Sequence, residues 1–334
     1  MDASWTASPG LALFGAWAPG KATTLARAAE DAGLGSVWVI EDYFHPGAFA
    51  LAGGCAAVTS RVVIGLGIVN PFTRHPALLA METAALAGLA PGRVILGLGS
   101  SNRRWIEEQM AIPFKAPLVA LRESVAIVRR LLAGESVTFR GERFQTDEVK
   151  LDGPPPAPVP IVLGVKGPKA LGLAGEVADG VLCSVLCTPG HVRRVRETTR
   201  GAGDGFAVLC YVPVVIDADR GRAREMLKPL LAHYLGVLHG QSILEDAGVT
   251  PARTAPFREA LLRGERVASL VTDDLIDTFA VAGAPADCRS ALARFAEAGL
   301  DAPVAVIPPR ANVPEQIARV GAELAPAWKE LRCR

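Results

Sequence analysis

The 334-residue sequence predicts an α/β fold, a (β/α)8 TIM barrel with insertions. Three observations carry that prediction. A short apolar strand, a loop and an amphipathic helix rich in Ala, Leu and Arg recur along the chain. The strands are apolar without alternation, as in a parallel sheet covered by helices on both faces. The count reaches eight such units with no break between two sub-domains, which favours a closed barrel over the open doubly wound sheet that right-handed βαβ units also allow.

Leu11 to Ala16 reads as the first strand, followed by a helix from about Lys21 to Ala32 that stops at Gly33. The second strand is Ser36 to Ile40, and after the loop Glu41 to Ala48 a small-residue helix runs to Thr59. Val62 to Ile68 is the third strand, with a loop to Pro76 and a helix ending near Leu89. Pro91-Gly92 turns the chain into the fourth, Arg93 to Leu98. From Pro117 a helix with Leu121, Val125, Val128, Leu131 and Leu132 on one face runs to Gly134. Residues 135–152 change texture, two alternating runs around Arg140-Gly141 that read as a hairpin excursion, closed by the Pro-rich connector Gly153 to Pro160. The rhythm then resumes with strands Pro160 to Gly164, Gly180 to Ser184 and Phe206 to Ile216, and helices Pro168 to Ala178 and about Gly190 to Thr199. Residues 219–280 are too long for one crossover and read as a helical insertion. A helix from Pro285 to Ala298, the eighth strand Pro303 to Ile307 and a closing helix Pro314 to Leu324 complete a single barrel domain over residues 1–334.

Composition removes several function classes. Thirty-five Lys and Arg face 34 Asp and Glu, interleaved throughout, so there is no basic stripe for a nucleic acid. Half the residues are apolar, too many for a disordered chain, and the longest apolar stretch, Ala48 to Val58, is too short for a membrane span. Asp2 and the absence of a basic n-region predict a cytoplasmic protein. The 34 Gly and 25 Pro punctuate many short elements. Cys55, Cys183, Cys187, Cys210, Cys288 and Cys333 lack the paired CxxC spacing of a zinc site and read as reduced, buried, structural thiols, Cys183 and Cys187 being the one close pair. No metal is expected.

In such a barrel the chemistry lies in the loops that follow the strands. The loop after strand two carries Glu41, Asp42 and His45, a general base and a proton donor. After strand three, Asn70-Pro71 forces a turn ahead of Thr73, Arg74 and His75, groups suited to edging a flat polar cofactor. After strand four come Gly97, Gly99, Ser100, Ser101 and Asn102, small residues and neutral donors that match a dinucleotide fingerprint only superficially, the third glycine being absent. After strand five, Gly164-Val165-Lys166-Gly167-Pro168-Lys169 places Pro168 at the first helical position beside two lysines, an arrangement suited to a phosphate. There is no nucleophile with its base, no GxSxG and no HExxH. The site reads as one that holds a redox cofactor.

Four stretches carry a resemblance: Ser60 to Gly65, Asn70 to Pro76, Arg93 to Gly99, and Gly167-Pro168-Lys169 with Leu173 to Gly180. Together they closely resemble the luciferase-like monooxygenase superfamily, and within it the coenzyme F420-dependent branch that includes methylenetetrahydromethanopterin reductase. The resemblance implies a bacterial luciferase-like barrel, a homodimer, and F420 (alternatively FMN) in the barrel mouth. It implies a non-prolyl cis peptide at Gly67-Ile68 bulging against the cofactor ring, with Asn70, Thr73, Gly99, Ser100, Ser101, Gly164 and Val165 around it. Lys166, Gly167, Lys169 and the helix from Pro168 would hold the phosphate, and Arg103 and Arg104 would meet the oligoglutamate tail of F420. Glu41 and Asp42 stand where the family has an acidic and histidine pair, so a carboxyl, His45 or His75 would serve. Trp17 replaces a glutamate common in the pterin reductases, implying a more apolar substrate on the indole, with His45 at the pocket rim. The expected function is hydride transfer between deazaflavin and a small organic substrate, with Glu41, Asp42 and His75 as catalytic candidates. An FMN-dependent luciferase-type monooxygenase and a non-catalytic F420 or flavin carrier are the alternatives.

Overall fold

In the computed structural model, which describes residues 6–332, the apolar runs close into a ring. The strands are β1 Gly10–Leu13, β2 Ser36–Val39, β3 Val63–Val69, β4 Val94–Leu98, β5 Val137–Arg140, β6 Gln145–Val149, β7 Ile161–Leu163, β8 Gly180–Cys183, β9 Ala207–Ile216, β10 Val281–Gly283 and β11 Ala302–Val306. Eight of them pair in parallel in the order β1-β2-β3-β4-β7-β8-β9-β11 and back to β1, a closed (β/α)8 barrel. β5 and β6 form the antiparallel hairpin. The ten-residue β9 also pairs, through Val214 to Ile216, with β10, a short ninth strand absent from the sequence expectation.

The helices between them are α1 Pro19–Asp31, α2 Ala48–Val58, α3 Pro76–Leu89, α4 Pro117–Leu132, α5 Pro168–Val177 and α6 Pro189–Thr198. The inserted region supplies α7 Arg220–Val237, α8 Ser242–Glu245, α9 Pro251–Arg263 and α10 Asp273–Phe279. α11 Pro285–Glu297, α12 Val313–Arg319 and α13 Ala325–Arg332 finish the chain. Prolines 19, 76, 117, 168, 189 and 285 each open a helix, where the missing N–H is no loss, so much of the proline surplus sits at loop-to-helix junctions. Two expectations need correction: the first strand ends at Leu13 rather than Ala16, and the final helix continues through a π-turn to Arg332. The loop after β4 contains a π-helical turn, Arg104–Gln109.

Two buried carboxylates stitch the scaffold together. Glu30, at the end of α1, accepts the backbone N–H groups of Ser60 (2.9 Å), Arg61 (2.6 Å) and Val62 (2.9 Å), while Arg93 donates to the Val62 carbonyl (2.8 Å). Part of the recognisable Ser60 to Gly65 stretch is therefore structural. Glu123 on α4 accepts N–H groups of Glu142, Arg143 and Phe144 at 2.7 to 2.9 Å and so pins the hairpin turn. Trp38, fully buried, lies against Gly65, where an added Cβ would sit 2.4 Å from its ring. Cys55, Cys183, Cys187, Cys210 and Cys288 are buried and form no disulfide; Cys333 lies outside the described residues. Among the described residues no helix is long and apolar enough to cross a membrane.

Candidate active site

A cavity of about 840 Å³ opens beyond the C-terminal ends of β2, β3, β4, β7 and β8, with α7, α8 and α9 as its outer wall. Its floor is built at Gly67-Ile68. That peptide is cis, as the resemblance implies, and the β3–β4 register shifts between Leu66 and Val69. The Ile68 side chain occupies room left by three glycines: an added Cβ would sit 3.0 Å from Ile68 at Gly97, 2.5 Å at Gly99 and 2.7 Å at Gly164. The close approach that these glycines allow is thus first of all that of Ile68. The Tyr211 hydroxyl donates to the Gly67 carbonyl (2.7 Å) from across the barrel.

Beside the floor, the loops after β2 and β3 are laced together. Asn70, buried, accepts the N–H groups of Phe72 (2.9 Å) and Thr73 (3.1 Å) and donates to the Tyr43 hydroxyl, which lies 2.9 Å from Thr73 Oγ1. A second cis peptide joins Tyr43 and Phe44. Arg74 forks onto Glu41 through two 2.8 Å bonds and reaches Glu82 at 3.2 Å. Burial alone would lower the Arg74 pKa, but the Glu41 contact outweighs it and raises it. Glu41 is therefore occupied by an ion pair. Its neighbour Asp42 makes no side-chain hydrogen bond or ion pair with a described residue, and burial pushes its carboxyl above the ordinary aspartate range against the pull of His45 and His233.

Opposite stands an anion cradle. Gly167 begins α5 with no side chain capping the helix, so the first N–H groups face outward. Lys166 lines the cavity without an ion pair to a described residue, and burial lowers its pKa. Ser101, at φ +60°, has a buried hydroxyl with no hydrogen-bond partner. An orphaned hydroxyl, a dehydrated ammonium and an uncapped helix start in one cavity wall fit a phosphate-bearing cofactor.

Glu41, Asp42, Gly67, Ile68, Asn70, Ser100, Ser101, Gly164, Val165, Lys166 and Gly167 line this cavity. Asn102 and Arg104 line it as well, and the remaining anticipated residues do not. Thr73 stands one layer back, bonded to Tyr43, and Gly99 lies beneath Ile68. Lys169 points to solvent on α5 and His45 is exposed. His75 caps α3, its Nδ1 accepting the Ala77 N–H (3.2 Å), with Phe144 against its ring. Trp17 is turned inward onto Phe14, ring centres 5.2 Å apart, because β1 stops early. Arg103 is paired with Glu107, whereas Arg104 lines the cavity. Sequence reasoning passed over Tyr43, Trp105, Ser184, Tyr211, Tyr234 and Arg258, all in the lining. One signal was available: the chain has three tyrosines, and all three are here.

Comparison with known proteins agrees with this geometry. The family model for luciferase-like monooxygenases matches residues 6–302. The 5,10-methylenetetrahydromethanopterin reductase of Methanolobus tindarius is 31% identical over 308 residues, covering 90% of this chain and 94% of the relative. An F420-dependent glucose-6-phosphate dehydrogenase of Nakamurella multipartita is 33% identical over 232 residues, covering 62% and 67%. The solved structure of the coenzyme F420-dependent tetrahydromethanopterin reductase of Methanopyrus kandleri superposes with a TM-score of 0.87 at 27% identity, covering 96% of this chain and 99% of that one. With the cis-peptide floor, the anion cradle and a family match over most of its length, the chain belongs to the luciferase-like monooxygenase family.

Proposed function

We propose that the chain is an F420-dependent oxidoreductase moving a hydride between the deazaflavin and a small organic substrate. The observation that carries this reading is the cradle of Lys166, Ser101 and the α5 N-terminus beside the Ile68 floor. F420, when bound, supplies hydride chemistry at its ring. The residues of the chain do the rest. Ile68 supports the ring, while Lys166, the Gly167 end of α5 and Ser101 hold the phosphate. Arg104 and Arg258, both in the lining, offer cations to the carboxylates of the tail, which FMN lacks. Asp42, held above its ordinary range by burial, keeps a proton to higher pH than an exposed aspartate and delivers it to the substrate. Glu41 keeps Arg74 and the β3 loop in place. Trp105, Val237, Leu238 and Leu261 give the outer chamber an apolar lining, which suits a small apolar substrate.

Parallel fluorescence titrations with F420 and FMN, followed by turnover of F420 with a panel of small alcohols, aldehydes and enones, test this. F420 is expected to bind at least about tenfold more tightly than FMN, a difference of about 1.4 kcal/mol. Tight FMN binding without F420 binding would overturn the assignment.

A further inference from the structure

Away from the cavity floor, a second set of chemically capable side chains meets in the interior. Cys183 ends β8, Cys187 lies in the following loop and His191 stands in the first turn of α6. The two sulfurs and a His191 ring nitrogen lie within 4.8 Å of one another, and none of the three residues is more than 1% exposed. Cys210 on β9 is the register partner of Cys183 in the β8–β9 ladder and is equally buried.

His191 is oriented as a ligand. Its Nδ1 lies 2.7 Å from Asp246 Oδ2, and the other Asp246 oxygen meets Arg194 at 3.0 Å. With the ring proton on Nδ1 donated to the carboxylate, Nε2 carries the lone pair. That Nε2 is buried, has no hydrogen-bond partner of normal geometry and faces the Cys183 thiol. Leaving a buried imidazole nitrogen unsatisfied is costly, and carboxylate-oriented imidazole with thiolates is a donor set that suits zinc. Tetrahedral zinc, with bonds of about 2.3 Å to sulfur and about 2.0 Å to nitrogen, places ligand atoms about 3.5–3.8 Å apart. The cluster reaches that spacing by closing in by no more than about 1 Å.

We propose that Cys183, Cys187 and His191 hold a structural zinc ion, with Cys210, whose thiol neighbours that of Cys187 but lies outside the 4.8 Å group, drawn in as the fourth ligand when the metal binds. The ligating thiols release their protons to solvent as the metal binds. The spacing is Cys-x3-Cys-x3-His, which a search for CxxC pairs passes over. Asp246 directly follows α8, whose Ser242 lines the cavity, so the metal would fasten the inserted wall to the barrel through His191.

Protein expressed in zinc-supplemented medium, washed with EDTA and submitted to elemental analysis is expected to carry close to one zinc per chain. Its cobalt-substituted form is expected to show thiolate-to-cobalt charge-transfer bands and tetrahedral d–d bands. Cys187→Ser is expected to lose most of the metal, while Cys288→Ser, outside the cluster, retains it. The idea is overturned by wild-type protein holding less than about a tenth of an equivalent of zinc after refolding in excess metal. It is equally overturned by a cobalt spectrum without thiolate bands, or by mass spectrometry showing a Cys183–Cys187 disulfide. These wild-type readouts stand whether or not the variant folds.

Discussion

Replacing Lys166 by methionine isolates the anion cradle. The ammonium is desolvated and unpaired before any ligand arrives, so an incoming phosphate does not have to strip its water. At about 4 Å and an effective dielectric of about 20, opposite unit charges attract by about 4 kcal/mol. The phosphate loses hydration in exchange, which leaves about 1.5–3 kcal/mol, the usual range for hydrogen bonds to charged groups. Lys166→Met should therefore raise the Kd for F420 roughly 10- to 150-fold. Without ligand, the effect on stability has the opposite sign. Burial lowers the folded-state pKa of Lys166, so between that value and the ordinary lysine value the unfolded chain binds more protons and stability rises with pH. At neutral pH the charge is thus a stability cost that methionine removes, and the apo variant should melt at the same temperature or higher. Fluorescence titration and calorimetry on the same two proteins decide it. A Kd within about twofold of wild type, against the 1.4 kcal/mol that tenfold represents, or an apo variant that melts clearly lower, refutes the assignment of Lys166 to the phosphate.

Asp42→Asn should lower kcat about 10²- to 10⁴-fold while leaving F420 affinity unchanged, and wild-type turnover in the direction that consumes the proton should decline as pH rises through the elevated Asp42 pKa. Retention of most of the rate by the variant would remove Asp42 from the chemistry. Arg74→Ala leaves the Glu41 carboxyl, 5% exposed, without its partner and should destabilise the fold by about 3 kcal/mol in urea melts, with Glu41→Gln in the same chain recovering much of the loss. For Glu30, burial pushes the carboxyl up, but the backbone N–H bonds from Val62, Arg61 and Ser60 prevail and hold it at about 2. Its stabilisation is complete above pH 4.5 and lost as pH falls towards 2, so Glu30→Gln should flatten the acid limb of a circular-dichroism pH titration.

The barrel was legible because each strand is an uninterrupted apolar run and most of its helices begin at a proline. β10 was not, since Val281 to Gly283 is three residues long and follows directly on a helical stretch. The π-turn at Arg104–Gln109 has no residue pattern of its own. At the site, the rule that chemistry follows the strands located Asp42, Ser101 and Lys166. It did not supply side-chain direction. His75 and Trp17 sit in the right neighbourhood, yet one is turned to cap α3 and the other to fill the core. Tyr234, Leu238 and Arg258 were out of reach because amphipathic spacing in an inserted helix does not say which partner each face meets.

The height of the cavity floor is encoded in side chains that are missing. Ile68 can lie back only because β4 and the end of β7 present hydrogen atoms behind it, and a methyl group at Gly99 or Gly164 would drive it forward by contact at 2.5 or 2.7 Å. The chamber therefore has a depth adjustment operated from the rear. Trimming Ile68 to valine deepens it and glycine-to-alanine exchange on the neighbouring strands makes it shallower, so ring clearance can be retuned without altering any polar group that faces the ligand.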